Sequence, residues 1–154
     1  MKLLAPLRVL ISPPAIAAVN LVILWPLVLS VVDVVEGIWI HRDFNEAVDT
    51  VSTIAIILIG WGVALEERHK LREVFSLLGE NETREERIDE ICHRFGLGQL
   101  LFGLFAEIMV EAVRIPDAII NTAGIEKSVL TAASALLAVG ALLLLKQIVL
   151  LVRA

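Results

Sequence analysis

The chain has 154 residues, 58% of them hydrophobic, with a mean hydropathy of +0.84 and a formal net charge of −5. Soluble domains average about 45–50% apolar residues, so this composition belongs to a membrane protein, with too little length left for a full soluble domain. The acidic balance lacks the basic footprint of a nucleic-acid binder, and the single cysteine, Cys92, excludes an intrachain disulfide and any CxxC redox or zinc motif.

Residues 1–11 (MKLLAPLRVLI) set Lys2 and Arg8 among apolar side chains. No small-x-small cleavage site followed by a polar start appears, so the stretch reads as a retained amphipathic lead-in at the cytoplasmic interface. Ser12-Pro13-Pro14 then opens a helix, with Ser as cap and Pro in the first turn. The first membrane span is expected over residues 15–35. Pro26 removes one intrahelical hydrogen bond and should kink it. Pro26, Ser30, Asp33 and Gly37 share one face, with Glu36 at its margin, and that face is expected to point inward because lipid cannot solvate a carboxylate.

Residues 37–46 (GIWIHRDFNE) form a polar turn, with Trp39 at headgroup level. The second span is expected over 47–65. Asp49, Thr53, Ile56, Gly60 and Ala64 share its polar-to-small face, and Gly60-x-x-x-Ala64 would permit close helix approach. Residues 66–95 carry about half of the charged side chains, and a helical hairpin is expected there, extending spans two and three past the membrane. Leu71, Val74, Phe75 and Leu78 form one apolar stripe, and Ile88, Ile91, Cys92 and Phe95 the other. Gly79-Glu80-Asn81 is the turn between them, and Thr83 with Glu86 is a capping box that restarts the helix. Gly96 and Gly98 mark a bend before the third span, 97–115, which Pro116 ends. After a loop over 117–127, a nearly featureless apolar stretch makes the fourth span, 129–152, where Lys146 can snorkel to the interface.

The expected fold is therefore all-α: a single membrane domain over residues 1–154, built as a polytopic four-helix bundle with a cytoplasmic helical hairpin between spans two and three. Placing both termini and the hairpin on one side gives that side Lys2, Arg8, Arg68, Lys70, Arg72, Arg84, Arg87, Arg94, Lys146 and Arg153. The other side holds Arg42, Arg114 and Lys127. The positive-inside rule then makes the chain a multi-pass protein of the plasma (inner) membrane with cytoplasmic N and C termini.

The sharpest chemical signal is Glu107, roughly 15 Å along the third span from Leu97 and so near the middle of a hydrocarbon core of about 30 Å. An ionisable group at that depth costs at least about 2.5–3.5 kcal/mol on insertion scales, which makes it a functional-site hypothesis by default. Glu107, Glu111 and Arg114 share a face with Leu100 and Gly103. Arg114 is expected to pair with Glu111, leaving Glu107 protonated or cation-bound. Asp33, Glu36 and Asp49 fall in the same half of the bilayer. Together the five carboxylates form a candidate proton or hard-cation pathway, with Arg114, Ser30 and Thr53 in support. The competing reading makes Asp33, Glu36 and Asp49 ordinary helix-end residues, and has Glu107 hydrogen-bonded across the bundle to Ser30 or Thr53.

Two Glu-x-x-His sequences, Glu66/His69 and Glu90/His93, match the spacing of a di-iron carboxylate site. Each pair lies opposite its helix's apolar stripe, so a solvated charged face is expected instead. No metal site or cofactor is expected, and no Ser-His-Asp, phosphate-loop or His-Glu-x-x-His pattern points to an enzyme. Two functions remain: a proton- or cation-handling channel or transporter component centred on Glu107, or a non-catalytic accessory or scaffold subunit. Either would work in the lipid bilayer as a homo-oligomer or within a larger membrane complex.

Overall fold

The computed structural model describes residue 9 and residues 11–39, 44–75, 82–115 and 119–153. Five helices occupy them: α1 (Pro13–Trp39), α2 (Phe44–Glu66), α3 (Arg68–Val74), α4 (Glu82–Arg114) and α5 (Glu126–Arg153). All but α3 are long and apolar enough to cross a bilayer, the make-up of a multi-pass membrane protein. They close into a ring in which α1 and α4 each pack between α2 and α5. Each expected span falls within a longer helix, save that the third ends one residue beyond Arg114, because polar residues at the ends continue the backbone ladder past the apolar stretch.

Region 66–95 departs from the expected hairpin of two long arms. α2 stops at Glu66, and Glu67 leads directly into the seven-residue α3. On the other side, α4 is a single helix of 33 residues that passes through Gly96 and Gly98 as helix, where a bend was expected. The proposed turn at residues 79–81 lies outside the described residues, as do residues 1–8 and 10 of the lead-in over 1–11. Ile88, Cys92 and Phe95 are buried as expected, but their partners differ. Ile88 and Cys92 form a core cluster with Ile16, Leu65 and Leu151, from the ends of α1, α2 and α5. Residues 82–96 thus belong to the bundle itself. Val74, expected in the sealing stripe, is 74% exposed.

The larger core runs along the rest of the bundle, through Leu27 and Val34 of α1, Val51, Ala55 and Leu58 of α2, Ala106 and Val110 of α4, and Leu130, Leu137 and Leu144 of α5. The inward faces differ from those expected. On α1, Ile16, Asn20, Leu27 and Val34 are buried, whereas Pro26 is exposed and Ser30 sits at the margin. On α2, Thr53, Ile56, Gly60 and Ala64 all face outward. Its buried side is Val48, Val51, Ser52, Ala55, Leu58, Gly62 and Leu65. The reason is steric. A Cβ on Gly62 would lie 2.6 Å from the backbone N of Leu100 and 2.7 Å from the Gly96 carbonyl oxygen. A Cβ on Gly96 would lie 2.7 Å from the Gly62 carbonyl oxygen, and one on Gly103 2.8 Å from that of Ala55. α2 and α4 therefore touch backbone to backbone, through small residues, as helices in lipid do when apolar burial gives them no reason to associate. Gly60, the glycine expected to permit close approach, has nothing within 4 Å of its would-be Cβ.

A paired substitution tests this contact line. Gly62→Ala should destabilise the protein by about 1–3 kcal/mol through overpacking against backbone that cannot move aside. Gly60→Ala should be neutral or mildly stabilising, since Ala is the better helix former by up to about 1 kcal/mol. Thermal unfolding of the two variants in detergent micelles reads the difference, and equal loss in both would refute the assignment.

Candidate functional site

Three polar groups of residues interrupt the apolar bundle at three levels. The first, where α2 begins and α4 ends, contains Asp49, Glu107 and Glu111 of the acidic residues singled out from the sequence. Arg114 sits at its centre. Its Nη1 donates to Glu111 Oε1 at 2.6 Å and its Nη2 to Asp49 Oδ1 at 2.6 Å. The Arg114–Glu111 pair is the one expected one helical turn apart, and Asp49 joins it from α2. The same Nη1 approaches Ser52 Oγ at 3.3 Å, and Ser52 Oγ donates to Glu107 Oε1 at 2.9 Å. Glu107 is thus connected to the ion triad through a hydroxyl, without touching the guanidinium. Its other oxygen, Oε2, is enclosed and has no hydrogen-bond partner among the described residues.

The remaining expected members do not converge there. Thr53 donates to the Asp49 carbonyl of its own helix at 2.9 Å, so the cross-bundle partner of Glu107 is Ser52, one residue earlier. Thr53 and Ser30 instead line an open polar groove of about 500 Å³ between α1 and α2, with Asn45, Glu46, Asp49 and Thr50. Glu107 and Glu111 are not among its walls. Glu36 is exposed near the end of α1, and the side chain of Asp33 lies outside the described residues. Asp49 is the member shared by groove and triad.

No residue of the second level was singled out from the sequence. Asn20 of α1, Gln99 of α4 and Gln147 of α5 are each fully buried, and they meet with Trp61 of α2. Trp61 Nε1–H donates to Asn20 Oδ1 at 2.6 Å, Asn20 Nδ2 donates to Gln147 Oε1 at 3.1 Å, and Gln99 Nε2 donates to the same oxygen at 2.9 Å. The indole can only donate, and this orients the Asn20 amide and then the two glutamines. All four spans are pinned at one depth by this chain. Gln99 Oε1 and Gln147 Nε2 are enclosed without hydrogen-bond partners among the described residues, and Cys92 lies beside the Gln147 amide. A signal did exist: an amide inside an apolar run carries a desolvation cost of the same kind as Glu107, only smaller.

The third level closes the far end. Arg68 and Arg72 of α3 are buried with Asp89 of α4. Arg68 pairs with Asp89 through Nη1 and with Glu85 through Nη2 at 2.9 Å, while its Nε donates to the Ile11 carbonyl at 3.0 Å. Arg72 Nη1 reaches Asp89 Oδ2 at 2.5 Å. Two guanidinium groups and two carboxylates thus balance, and they tie the residues before α1 to α3 and α4. Of the Glu-x-x-His residues, His69, Glu90 and His93 are exposed and Glu66 is half-buried, and His69 Nδ1 lies 3.3 Å from Asp89 Oδ2. Among the described residues no three His, Cys, Asp or Glu side chains gather as a metal site would need.

No protein-family model matches the chain, and neither the curated proteins nor the solved structures yield a similar protein.

Two substitutions separate the amide level from the ionic one. Gln147→Leu strands donors on Asn20 and Gln99, each worth about 1–3 kcal/mol when buried unpaired, and should lower the thermal midpoint markedly. Asp89→Ala leaves two buried guanidinium groups short of charge and should cost about 3–5 kcal/mol. Unfolding in detergent at fixed pH measures both, and a change within 0.5 kcal/mol, roughly the range of an ordinary surface substitution, would show that the level concerned does not hold the bundle.

Proposed function

We propose that the chain is a non-catalytic accessory or scaffold subunit of a membrane complex, with its Arg68 end and both termini cytoplasmic. The observation that carries this reading is the solid packing between the first two polar levels. Glu107 and Gln99 are separated by eight residues of α4, roughly 12 Å. Over that distance Gly103 lies against the Ala55 backbone, and Ala55, Leu58, Ala106 and Leu137 are buried to within 1%. A conducting path along these helices would have to open a backbone contact. Pairing within three of the five acids supports the same reading, since Arg114 engages Asp49 and Glu111 and Ser52 engages Glu107. The orientation follows from ten Lys and Arg residues at the termini and over residues 66–95, against three at the other end.

One observation favours proton or cation handling instead. The enclosed Oε2 of Glu107 has no hydrogen-bond partner among the described residues, and an acid at that depth is the kind of group that marks a proton or ion path. Reversible protonation from the Arg114 end would then be the function, with the Ser52 hydroxyl as the connecting group.

Flux measurement decides between them. The purified protein, reconstituted into vesicles that trap a pH-sensitive dye, should leak protons no faster than empty vesicles, with or without added potassium or sodium. Glu107→Gln should leave that result unchanged and keep its fold, because the amide oxygen can still accept from Ser52. Flux in the native protein that Glu107→Gln abolishes would overturn the scaffold reading and establish the other.

A further inference from the structure

We infer that the chain holds part of one acyl chain of a bilayer lipid in an apolar cavity between the amide level and the Arg68 level. The cavity has a volume of about 130 Å³. Ile16 of α1, Trp61 and Leu65 of α2 and Leu71 of α3 form its walls, with Phe75 just after α3. Its origin lies in how α3 is held. Arg68 and Arg72 draw that helix toward Asp89 of α4. Leu71 and Phe75, one helical turn apart, are only half-buried. Charge fixes α3 in place, close apolar packing against α1 and α2 does not, and a cavity remains between the three.

Two side chains of the wall carry polar groups, and both are committed elsewhere. Trp61 Nε1–H donates to Asn20 Oδ1 at 2.6 Å. Arg68 donates from each of its three nitrogens, to the Ile11 carbonyl, Asp89 and Glu85. An occupant therefore finds carbon on its sides and no group waiting for a hydrogen bond. Water is a poor fit, since a buried water needs about two to four polar partners, whereas a dry apolar cavity of about 150 Å³ takes a molecule the size of benzene.

The way in identifies the occupant. Ala64 lines the same cavity and is exposed, as are Gly60 and Val63 before it. The cavity is thus continuous with the outward side of α2, the side that meets lipid. It lies beside the last turn of that helix, where a span passes from hydrocarbon to headgroups. At this depth a lipid presents the methylenes next to its ester groups, and about five of them suit a benzene-sized volume. Lipid binding here is independent of the Glu107 level and of the accessory role proposed above.

The test uses the full chain in phosphatidylcholine vesicles. Trp25→Phe and Trp39→Phe together leave Trp61 as the single tryptophan. Phosphatidylcholine brominated near the ester end of its chains should quench Trp61 fluorescence, and the same lipid brominated near the methyl end should quench it much less. Ala64→Leu sets a larger side chain at the mouth of the cavity and should remove most of that quenching, with the helical circular dichroism unchanged. Val63→Leu, also exposed but outside the cavity wall, should leave it intact. A second measurement keeps all three tryptophans. In detergent micelles, added phosphatidylcholine should raise the thermal midpoint of the native chain, as a ligand of the folded state does, and raise that of Ala64→Leu less. Quenching of Trp61 by aqueous iodide in place of the brominated lipid would make the cavity wet and overturn the proposal. So would lipid quenching that Ala64→Leu leaves undiminished, or equal midpoint shifts in the two proteins.

Discussion

Backbone contact between α2 and α4 sets the spacing on which the other polar and apolar contacts depend. Water gives apolar helices a strong reason to associate, but lipid tails are as apolar as leucine, so packing must supply the attraction. Gly62, Gly96 and Gly103 let two main chains approach to a distance that no Cβ tolerates. With that distance fixed, Ser52 reaches Glu107, and Arg114 reaches across to Asp49. A larger residue anywhere along the line would separate the groups at both ends of it. The site at Glu107 is therefore a consequence of glycine placement one to three turns away.

Close packing alone does not choose a register, because sliding one apolar helix along another changes little in lipid. The three polar levels supply that choice. A slip of one residue on α5 would carry Gln147 away from both Asn20 and Gln99, leaving at least two buried donors without an acceptor. The ionic ends work the same way at larger cost, Arg68 and Arg72 on Asp89 at one end and Arg114 on Asp49 and Glu111 at the other. Spacing and register are thus separate problems here, solved by separate residue types.

That division also explains what could be read from the sequence. The four spans were legible because hydropathy over about 20 residues is a property of composition, independent of partners. So was the Arg114–Glu111 pair, which a single helical turn dictates. The inward faces were not legible on α1 and α2. On an all-apolar helix the usual contrast between wet and dry sides vanishes, and the polar residues used in its place can lie near the rim, as Asp49 and Thr53 do. The Ile88/Cys92/Phe95 stripe was correctly read as buried but assigned to the wrong partner, because periodicity identifies a dry face and not what dries it. Gln99 and Gln147 carried a signal of the same kind as Glu107. Their role became visible only when α1, α4 and α5 were brought to one depth.

The order of the polar levels along the bundle follows from the cost of burying each group. Charged groups cluster toward the two ends. At the Arg114 end water still reaches the triad: the Arg114 side chain is 34% exposed, Glu111 50% and Asp49 74%. At the other end Arg68, Arg72 and Asp89 are buried but mutually neutralised, with the Glu85 side chain still 26% exposed. Neutral amides, cheaper to desolvate, occupy the level between them. Glu107 is the exception: an acid placed two turns inward from Arg114, with a hydroxyl as its hydrogen-bond partner. Ser52 accepts from Arg114 and donates to Glu107, so its hydroxyl is oriented by the cation to give its hydrogen to the acid. The guanidinium thus reaches Glu107 only through the Ser52 hydroxyl dipole, without direct contact. Replacing Ser52 by alanine would remove that dipole while leaving Arg114 bound to Asp49 and Glu111. Glu107 would then lose its one cross-bundle hydrogen bond without any change in the charges around it.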